Sequence, residues 1–173
     1  VQLDRSKNIK HNTFENIFSS GDILNINAQV DSVSIIDNLL NNISQSSSIL
    51  SINSTGNGLD ILDNTITNIT YTYRLISIGG STINYDNNKI NNGSGCSSDR
   101  LGISISAGGT YYVTNSQITH INEESQGTFG GSIYVEYADS LIIKENQIAF
   151  CSVTSQGGGI YINNGTVDII QNT

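Results

Sequence analysis

The stretch from Leu59 to Ile69 reads LDILDNTITNI, and an earlier stretch from Val33 to Ile43 reads VSIIDNLLNNI. In both stretches apolar and polar residues alternate before a first Asn, and a second Asn follows four residues later. Alternation with a period of two is typical of a β-strand, whereas Asn favours a turn. Each stretch therefore predicts two short strands joined by a tight corner.

The same unit recurs along the chain with a period of about 26 to 27 residues, interrupted by insertions. Its first position is held by Asn12, Asn38, Asn64, Asn88, Asn146 and Asn172, with Ser116 in the remaining copy. Its second position is held by Asn16, Asn42, Asn68 and Asn92, and then by His120 and Phe150. A fixed period of this length is the sequence signature of a repeat architecture.

Pairs of apolar residues keep their spacing in front of the first Asn of each copy. In one copy Leu50 and Ile52 come first, and Leu59 and Ile61 follow. A single residue separates the two members of each pair, so both members face the same side of a strand. With the strand after the Asn, the pattern predicts three short strands per unit. We expect an all-β parallel solenoid of six or so coils, stacked about 4.8 Å apart around an apolar core.

The repeated Asn residues form two columns when the units are stacked. We expect an Asn at such a corner to be buried, to bond backbone groups and to bond the Asn of the next coil. The alternative role is that of a glycan acceptor, because five N-x-S/T sequences occur. Asn42, Asn68 and Asn92 lie on the second column, where we expect no room for a glycan. Asn53 and Asn164 lie in predicted turns and are the better acceptor candidates.

Composition limits the classes of partner. The chain of 173 residues has a net charge of −8 and seven Lys or Arg residues. This acidity argues against nucleic acid and against electrostatic contact with a membrane surface, since both need basic patches. No apolar run reaches membrane-spanning length, so no spanning segment is predicted. We expect one elongated domain over residues 1–173, and a segment of a longer solenoid, because the chain starts and ends inside a repeat unit without caps.

The two cysteines do not share a column. Cys151 falls on a core-facing column with Ile17, Ile43 and Ile69, which predicts a buried free thiol. Cys96 lies in a variable loop, and a disulfide between the two cysteines remains an open alternative.

The Asn columns and the three apolar strand columns resemble those of the right-handed parallel β-helix, or pectin-lyase-like, superfamily. The units GGSIYV from Gly130 to Val135 and GGGIYI from Gly157 to Ile162, with FENI at Phe14, resemble the GGxI and FxxN repeats of polymorphic outer-membrane adhesins. They are equally similar to large surface β-helix proteins of protists. The resemblance implies a right-handed coil and an extracellular or cell-surface location. Its superfamily includes lyases, hydrolases, adhesins and passive stalks, so it does not select one function.

Enzymes of this superfamily place carboxylates on the outer face of one strand, where they bind Ca²⁺ or act as acid and base. Asp37 and Asp63 precede the first Asn of successive units and would lie about 5 Å apart. They are therefore candidate Ca²⁺ ligands, and the alternative is a pair of solvated turn residues. Neither His11 nor His120 is expected to have an acidic partner, and no nucleophile triad, phosphate-binding loop or metal-ligand cluster is evident.

Two surfaces are candidates for binding. Insertions after the last strand of a unit lengthen in later copies, and such insertions collect on one edge of a solenoid, where ligands often bind. This candidate ligand edge contains Asp99, Arg100, Glu123, Glu124, Gln126, Phe129, Tyr134 and Tyr161. Tyr rings beside acids and amides suit sugars or a protein partner, and tolerated surface loops are the alternative. The second surface is a small outward apolar patch of Ile36, Leu39 and Leu62, a candidate lateral contact.

These observations favour a structural or adhesive extracellular scaffold, which would be a β-helical rod segment of a larger cell-surface protein or filament. Its expected partners are other protein chains or further segments of the same protein, with glycans as a further class. The alternatives are a polysaccharide-acting lyase or glycoside hydrolase and a carbohydrate-binding module. No cofactor is predicted apart from the Ca²⁺ candidate.

Overall fold

The computed structural model describes residues 7–28, 32–45, 47–54, 58–71, 74–80, 82–95, 102–123, 131–153 and 157–173. Within these ranges all regular structure is β-strand, and the strands wind into a parallel solenoid of five to six turns with about 26 residues per turn. Each complete turn contributes one strand to each of three parallel sheets. The prediction of an all-β solenoid with three strands per coil is confirmed.

The strands follow one another across each sheet in chain order. The first sheet consists of Lys7–Lys10, Val33–Ile36, Leu59–Leu62, Thr82–Asp86, Thr110–Thr114, Ser140–Lys144 and Val167–Ile170. The second sheet consists of Thr13–Ser19, Leu39–Gln45, Thr65–Tyr71, Lys89–Gly95, Gln117–Glu123 and Gln147–Ala149. The third sheet consists of Leu24–Ala28, Leu50–Ser54, Ile76–Gly80, Ile103–Ile105, Ile133–Val135 and Ile160–Ile162.

Neighbouring strands pair in the register that the repeat predicts. In the first sheet Val33 pairs with Leu59. In the third sheet Leu50 pairs with Ile76. Equal positions of successive units therefore lie on top of one another, and each sequence column becomes a straight row along the solenoid.

The predicted apolar columns fill the interior. Ile43, Ile61, Ile78, Ile105 and Ile121 are each at most 1% exposed. Full burial of a side chain of this size stabilises the fold by roughly 1.5–3 kcal/mol. These columns therefore supply the main driving force for stacking the coils.

One core column was not predicted. Ile49 and Leu75 are fully buried just before their third-sheet strands, and half-buried Ile23 packs against the same core. The later coils place Gly102 and Ser132 at the equivalent position, so the apolar pattern fades along the chain. A Cβ on Gly102 would lie 2.1 Å from the carbonyl oxygen of Ser132, which explains the glycine there.

The corner between the first and second sheets uses left-handed backbone, with φ between 49° and 58°. The residues at this position are His11, Asp37, Asp63, Asn87, Asn115, Glu145 and Gln171. Asn and Asp tolerate this conformation better than most residues. The corner remains bonded between coils, since the N–H of Asp37 donates to the carbonyl of Leu62 at 3.0 Å.

The second-sheet strands also bend, at the second Asn position, where φ lies between 52° and 58°. The pairing passes over this position, because Asn41 pairs with Thr67 and Ile43 pairs with Ile69 while Asn42 is left out. The residues on both sides of the bend can therefore point apolar side chains into the same core.

Candidate functional site

The first Asn column forms a ladder of hydrogen bonds between coils, in which Asn38, Asn64, Asn88 and Asn146 are buried as predicted and the end rung Asn12 is exposed. The side-chain oxygen of Asn64 accepts from both the backbone N–H and the side-chain amide of Asn38. The amide of Asn64 donates to the carbonyls of Ile35 and Leu62, at 2.8 and 2.9 Å. Equivalent contacts involve Asn12, Asn88, Asn146 and Asn172. The stacked hydrogen bonds predicted for this column are present, and they satisfy polar groups that burial would otherwise make costly.

Ser116 interrupts this ladder without breaking the backbone contacts. Its hydroxyl oxygen accepts from the N–H of Asn88 at 3.0 Å, and its hydroxyl donates to the carbonyl of Thr114 at 2.8 Å. Its own N–H donates to the side-chain oxygen of Asn146 at 2.9 Å. A hydroxyl has one hydrogen to donate whereas an amide has two, so the serine rung makes fewer contacts.

The second Asn column is exposed, so the burial predicted for it is wrong. Asn16, Asn42, Asn68 and Asn92 all lie at the surface of the bend. Their amides still bond between coils, for example from Asn92 to the side-chain oxygen of Asn68 at 2.8 Å. The left-handed backbone at the bend turns each side chain outward, which explains the difference from the first column.

Asp37 and Asp63 bind separate partners. A ring nitrogen of His11 lies 2.8 Å from a carboxylate oxygen of Asp37, and both side chains are exposed. The amide of Asn87 donates to Asp63 at 2.7 Å. The expectation that His11 has no acidic partner is therefore wrong, because the two residues occupy one column one coil apart. In the described part of the chain, no group of three or more His, Cys, Asp or Glu side chains is placed to hold a metal ion.

A shallow, open depression of about 400 Å³ lies beside the His11–Asp37 pair. It is lined by His11, Asn12, Thr13, Asp37, Asn38, Leu39 and Thr65. The depression brings a hydrogen-bonded imidazole and carboxylate next to hydroxyl and amide groups. An exposed pair of this kind can bind polar ligands or exchange a proton with one.

The candidate ligand edge is described only in part. Tyr134 and Tyr161 form a stacked pair, with ring centroids 5.4 Å apart and planes 5° from parallel. Tyr134 is 6% exposed, so the outward-facing exposure expected for it is wrong, and the ring of Tyr161 against it is one cause. Asp99, Arg100, Glu124, Gln126 and Phe129 lie outside the described residues, and for Glu123 only the backbone is described.

The predicted lateral patch lies on adjacent strands. Ile36 pairs with Leu62 across the first sheet, and both side chains are half-buried, as is Leu39. Sequence reasoning missed two much more exposed aromatic side chains, Phe18 at 80% and Phe150 at 75%. Phe150 stands at the second Asn position, and Phe18 lies two residues after it. Their places in the repeat could have indicated that both side chains face outward.

Phe150 combines exposure with an unusual backbone. Its φ is 55°, a conformation that is costly for a bulky residue. Its ring stacks on that of His120, with centroids 4.8 Å apart. The two rings extend the second Asn column as an exposed aromatic pair.

Three tyrosine hydroxyls have shifted acidity. Burial raises the pKa of Tyr85 well above its usual range, and its hydroxyl has no hydrogen-bond partner within the described structure. Burial also raises the pKa of Tyr111 to about 12, although its hydroxyl donates to the carbonyl of Ala107 at 2.7 Å. The hydrogen bond to Asp139 raises the pKa of exposed Tyr137.

The remaining predicted residues lie at the surface or at its border. Asn53 and Asn164 are both exposed, as an acceptor must be. Cys151 is a free thiol, half-buried rather than buried, with its sulfur 3.2 Å from the carbonyl oxygen of Ala149. Cys96 lies outside the described residues.

Comparisons with protein-family models, with curated proteins and with solved structures find no match to this chain. The described residues contain no helix long and apolar enough to cross a membrane.

Proposed function

We propose that this solenoid is a structural rod of an extracellular or cell-surface assembly, whose sides contact other chains or further segments of the same protein. The observation that carries the proposal is the ladder of the first Asn column, which runs from Asn12 to Asn172 with Ser116 in one rung. The Asn rungs satisfy the polar groups of their neighbours, and Ser116 keeps the backbone contacts, so the solenoid is held by its own repeat and leaves its outer rows available for contacts.

The sides of the rod offer regular surfaces. Outward residues of one column repeat at the strand spacing of about 4.8 Å, which suits binding to another repetitive surface. Ile36 and Leu62 place two apolar side chains on adjacent strands of an otherwise acidic chain. An apolar contact there would remove both from water, and a net charge of −8 would disfavour association elsewhere.

The fold also supports a proposal about the superfamily to which the chain belongs. Three parallel sheets and a stacked Asn ladder suit the right-handed, pectin-lyase-like superfamily and its adhesin-like surface members. An experimental structure of the intact protein tests the handedness and the coil geometry together.

The rod proposal is tested on intact cells of the source organism. A photo-reactive amino acid replaces Leu62 in one variant and Gln117, which is exposed on the second sheet, in a matched control. We expect antibodies against the chain to label unpermeabilised cells, and position 62 to cross-link to protein while position 117 does not. Labelling confined to permeabilised cells, or equal cross-linking at both positions, contradicts the proposal.

The second candidate function is an activity on polysaccharides, which the His11–Asp37 pair beside the open depression favours. It is tested by incubating the purified chain with acidic and neutral polysaccharides and measuring new reducing or unsaturated ends. The candidate requires release by the native chain and its loss in His11→Ala, with Asn84→Ala on the first sheet as the matched control. Equal release by native chain and His11→Ala rejects it.

A further inference from the structure

Three consecutive coils carry an N-x-S/T sequence at the same position. The sequences are Asn42-Ile43-Ser44, Asn68-Ile69-Thr70 and Asn92-Gly93-Ser94. All three Asn residues lie on the second Asn column, and all three hydroxyl residues lie on the next outward column. The acceptor sequence is therefore aligned from coil to coil.

The bend presents these Asn side chains to solvent. Asn42, Asn68 and Asn92 are exposed, with φ values of 52°, 55° and 58°. The sheet pairing passes over them, and the contacts that a substituent could disturb are those of the side-chain amides, from Asn42 to Asn16, from Asn68 to Asn41 and from Asn92 to Asn68. A glycan needs such a surface position because it is bulky and hydrated.

The side-chain amides of the two Asn columns also differ in how many hydrogen bonds they make. The amide nitrogen of buried Asn64 has three acceptors around it, the carbonyls of Ile35 and Leu62 and the side-chain oxygen of Asn88. The amide of exposed Asn92 makes one described contact, to Asn68. Glycosylation uses one of two amide hydrogens, so Asn92 could keep its contact while Asn64 could not.

We propose that Asn42, Asn68 and Asn92 form a row of N-glycan acceptors in which alternate coils are occupied. In the reaction, the amide nitrogen bonds to the anomeric carbon of a lipid-linked oligosaccharide diphosphate. The anomeric C–O bond breaks with its electron pair leaving on the diphosphate, and the amide loses one proton. The inference rests on the proposed extracellular role, since this donor is used on chains that enter the secretory route.

The coil spacing sets the pattern of occupancy. Glycans on Asn42 and Asn68 would start about 5 Å apart, whereas glycans on Asn42 and Asn92 would start about 10 Å apart. Bulky branched sugars crowd each other at the shorter distance. A chain with all three sites modified therefore folds less well than a chain with alternate sites modified.

The test is site mapping on the full chain secreted by a eukaryotic cell line behind a cleavable signal peptide. Enzymatic glycan removal in ¹⁸O water converts each modified Asn to labelled Asp, which mass spectrometry locates. Trypsin leaves Asn42 and Asn68 on one peptide, 11–74, so their joint occupancy is read directly. We expect label at the row, with joint occupancy of Asn42 and Asn68 at least threefold below the product of the single occupancies.

Two matched variants sharpen the test. Thr70→Ala removes the sequence around Asn68 and should raise occupancy at Asn42 and Asn92. Thr166→Ala removes the exposed sequence around Asn164 and should leave the row unchanged. An unlabelled row overturns the proposal whether or not Asn164 is labelled, and statistically independent occupancy overturns the alternating pattern.

A failure of the acceptor row can be distinguished from a failure of the rod proposal. The secretory route is imposed by the signal peptide, so a missing glycan speaks against the acceptor row alone. The location of the chain in its source cells is decided by the antibody labelling.

Discussion

Asn64 accepts two hydrogen bonds from Asn38, one from the backbone N–H at 3.0 Å and one from the side-chain amide at 2.9 Å. One side-chain oxygen thus joins two coils through both the main chain and the side chain. Because Asn38 and Asn64 are both buried, the loss of the Asn38 amide or of the Asn64 side-chain oxygen leaves an unpaired polar atom in the core.

Asn64→Asp should therefore be strongly destabilising although the side chains have nearly the same shape. It places a carboxylate oxygen against the carbonyls of Ile35 and Leu62, where an amide donated before. We expect a loss of about 3–5 kcal/mol in the free energy of unfolding at pH 7, measured by urea denaturation. The same change at exposed Asn68 is the control and should cost less than about 1 kcal/mol. Similar losses for both variants would mean that the ladder is not a stabilising element.

Ser116→Asn should restore the missing rung. The new amide can donate towards the carbonyls of Thr114 and of Tyr85 in the preceding coil, as the other rungs do. We expect a gain of about 1 kcal/mol, measured as a shift in the urea midpoint without a change in slope. Ser116→Ala removes the acceptor used by Asn88 and should lower the midpoint. A lower midpoint for Ser116→Asn would show that the core there has no room for an amide.

Gly131→Ala should be poorly tolerated because the coils approach closely at this position. An added Cβ would lie 2.1 Å from the carbonyl oxygen of Gly158 and 2.2 Å from that of Gly157. We expect a loss of about 3 kcal/mol in thermal or urea unfolding. Gly158→Ala is the control, since its Cβ would meet its nearest neighbour, the carbonyl oxygen of Cys151, at an ordinary 3.6 Å. Equal tolerance of both changes would contradict the close approach.

The buried tyrosines predict a fall in stability at alkaline pH. The unfolded chain releases phenolic protons near pH 10, whereas burial raises the pKa of Tyr111 to about 12 and that of Tyr85 further. Stability is therefore intact below pH 10 and falls as pH rises through 12, by about 1.4 kcal/mol per pH unit for each proton. Urea denaturation between pH 8 and pH 12 measures this slope.

Tyr85→Phe separates the two tyrosines. The variant should lose part of the alkaline slope and gain about 1 kcal/mol at pH 7, because it removes an unpaired buried hydroxyl. Tyr111→Phe should lose stability at pH 7, since its hydroxyl donates to Ala107. A destabilised Tyr85→Phe variant would show that the Tyr85 hydroxyl has a partner.

The sequence predicted the fold because stacking is a one-dimensional property. Once the spacing of Asn38 and Asn64 is known, the register of all three strands in those units follows. Whether the Asn42 side chain points into the core or into solvent could not be predicted from the spacing, since an Asn at a corner suits a buried or an exposed position. The sign of its φ decides between them, and that depends on how the bend packs.

The His11–Asp37 contact could have been predicted from the column alignment, which placed the two residues one coil apart. The two residues are 26 positions apart in the chain, which is one repeat, and stacking of the coils brings their side chains together. Most residues of the candidate ligand edge lie within 96–101 and 124–130, outside the described ranges. Binding at this edge therefore stays a prediction.

The Asn ladder also bears on how such a chain evolves. Apart from Ser116, each rung joins Asn to Asn, so a complete coil can be duplicated or deleted and the two new neighbours still match. The gene can therefore gain or lose whole repeats at little cost to folding. The loops of a repeat take no part in the ladder, so they can diverge in sequence while the ladder is kept. The length of the solenoid and the chemistry of its loops then become separately heritable traits.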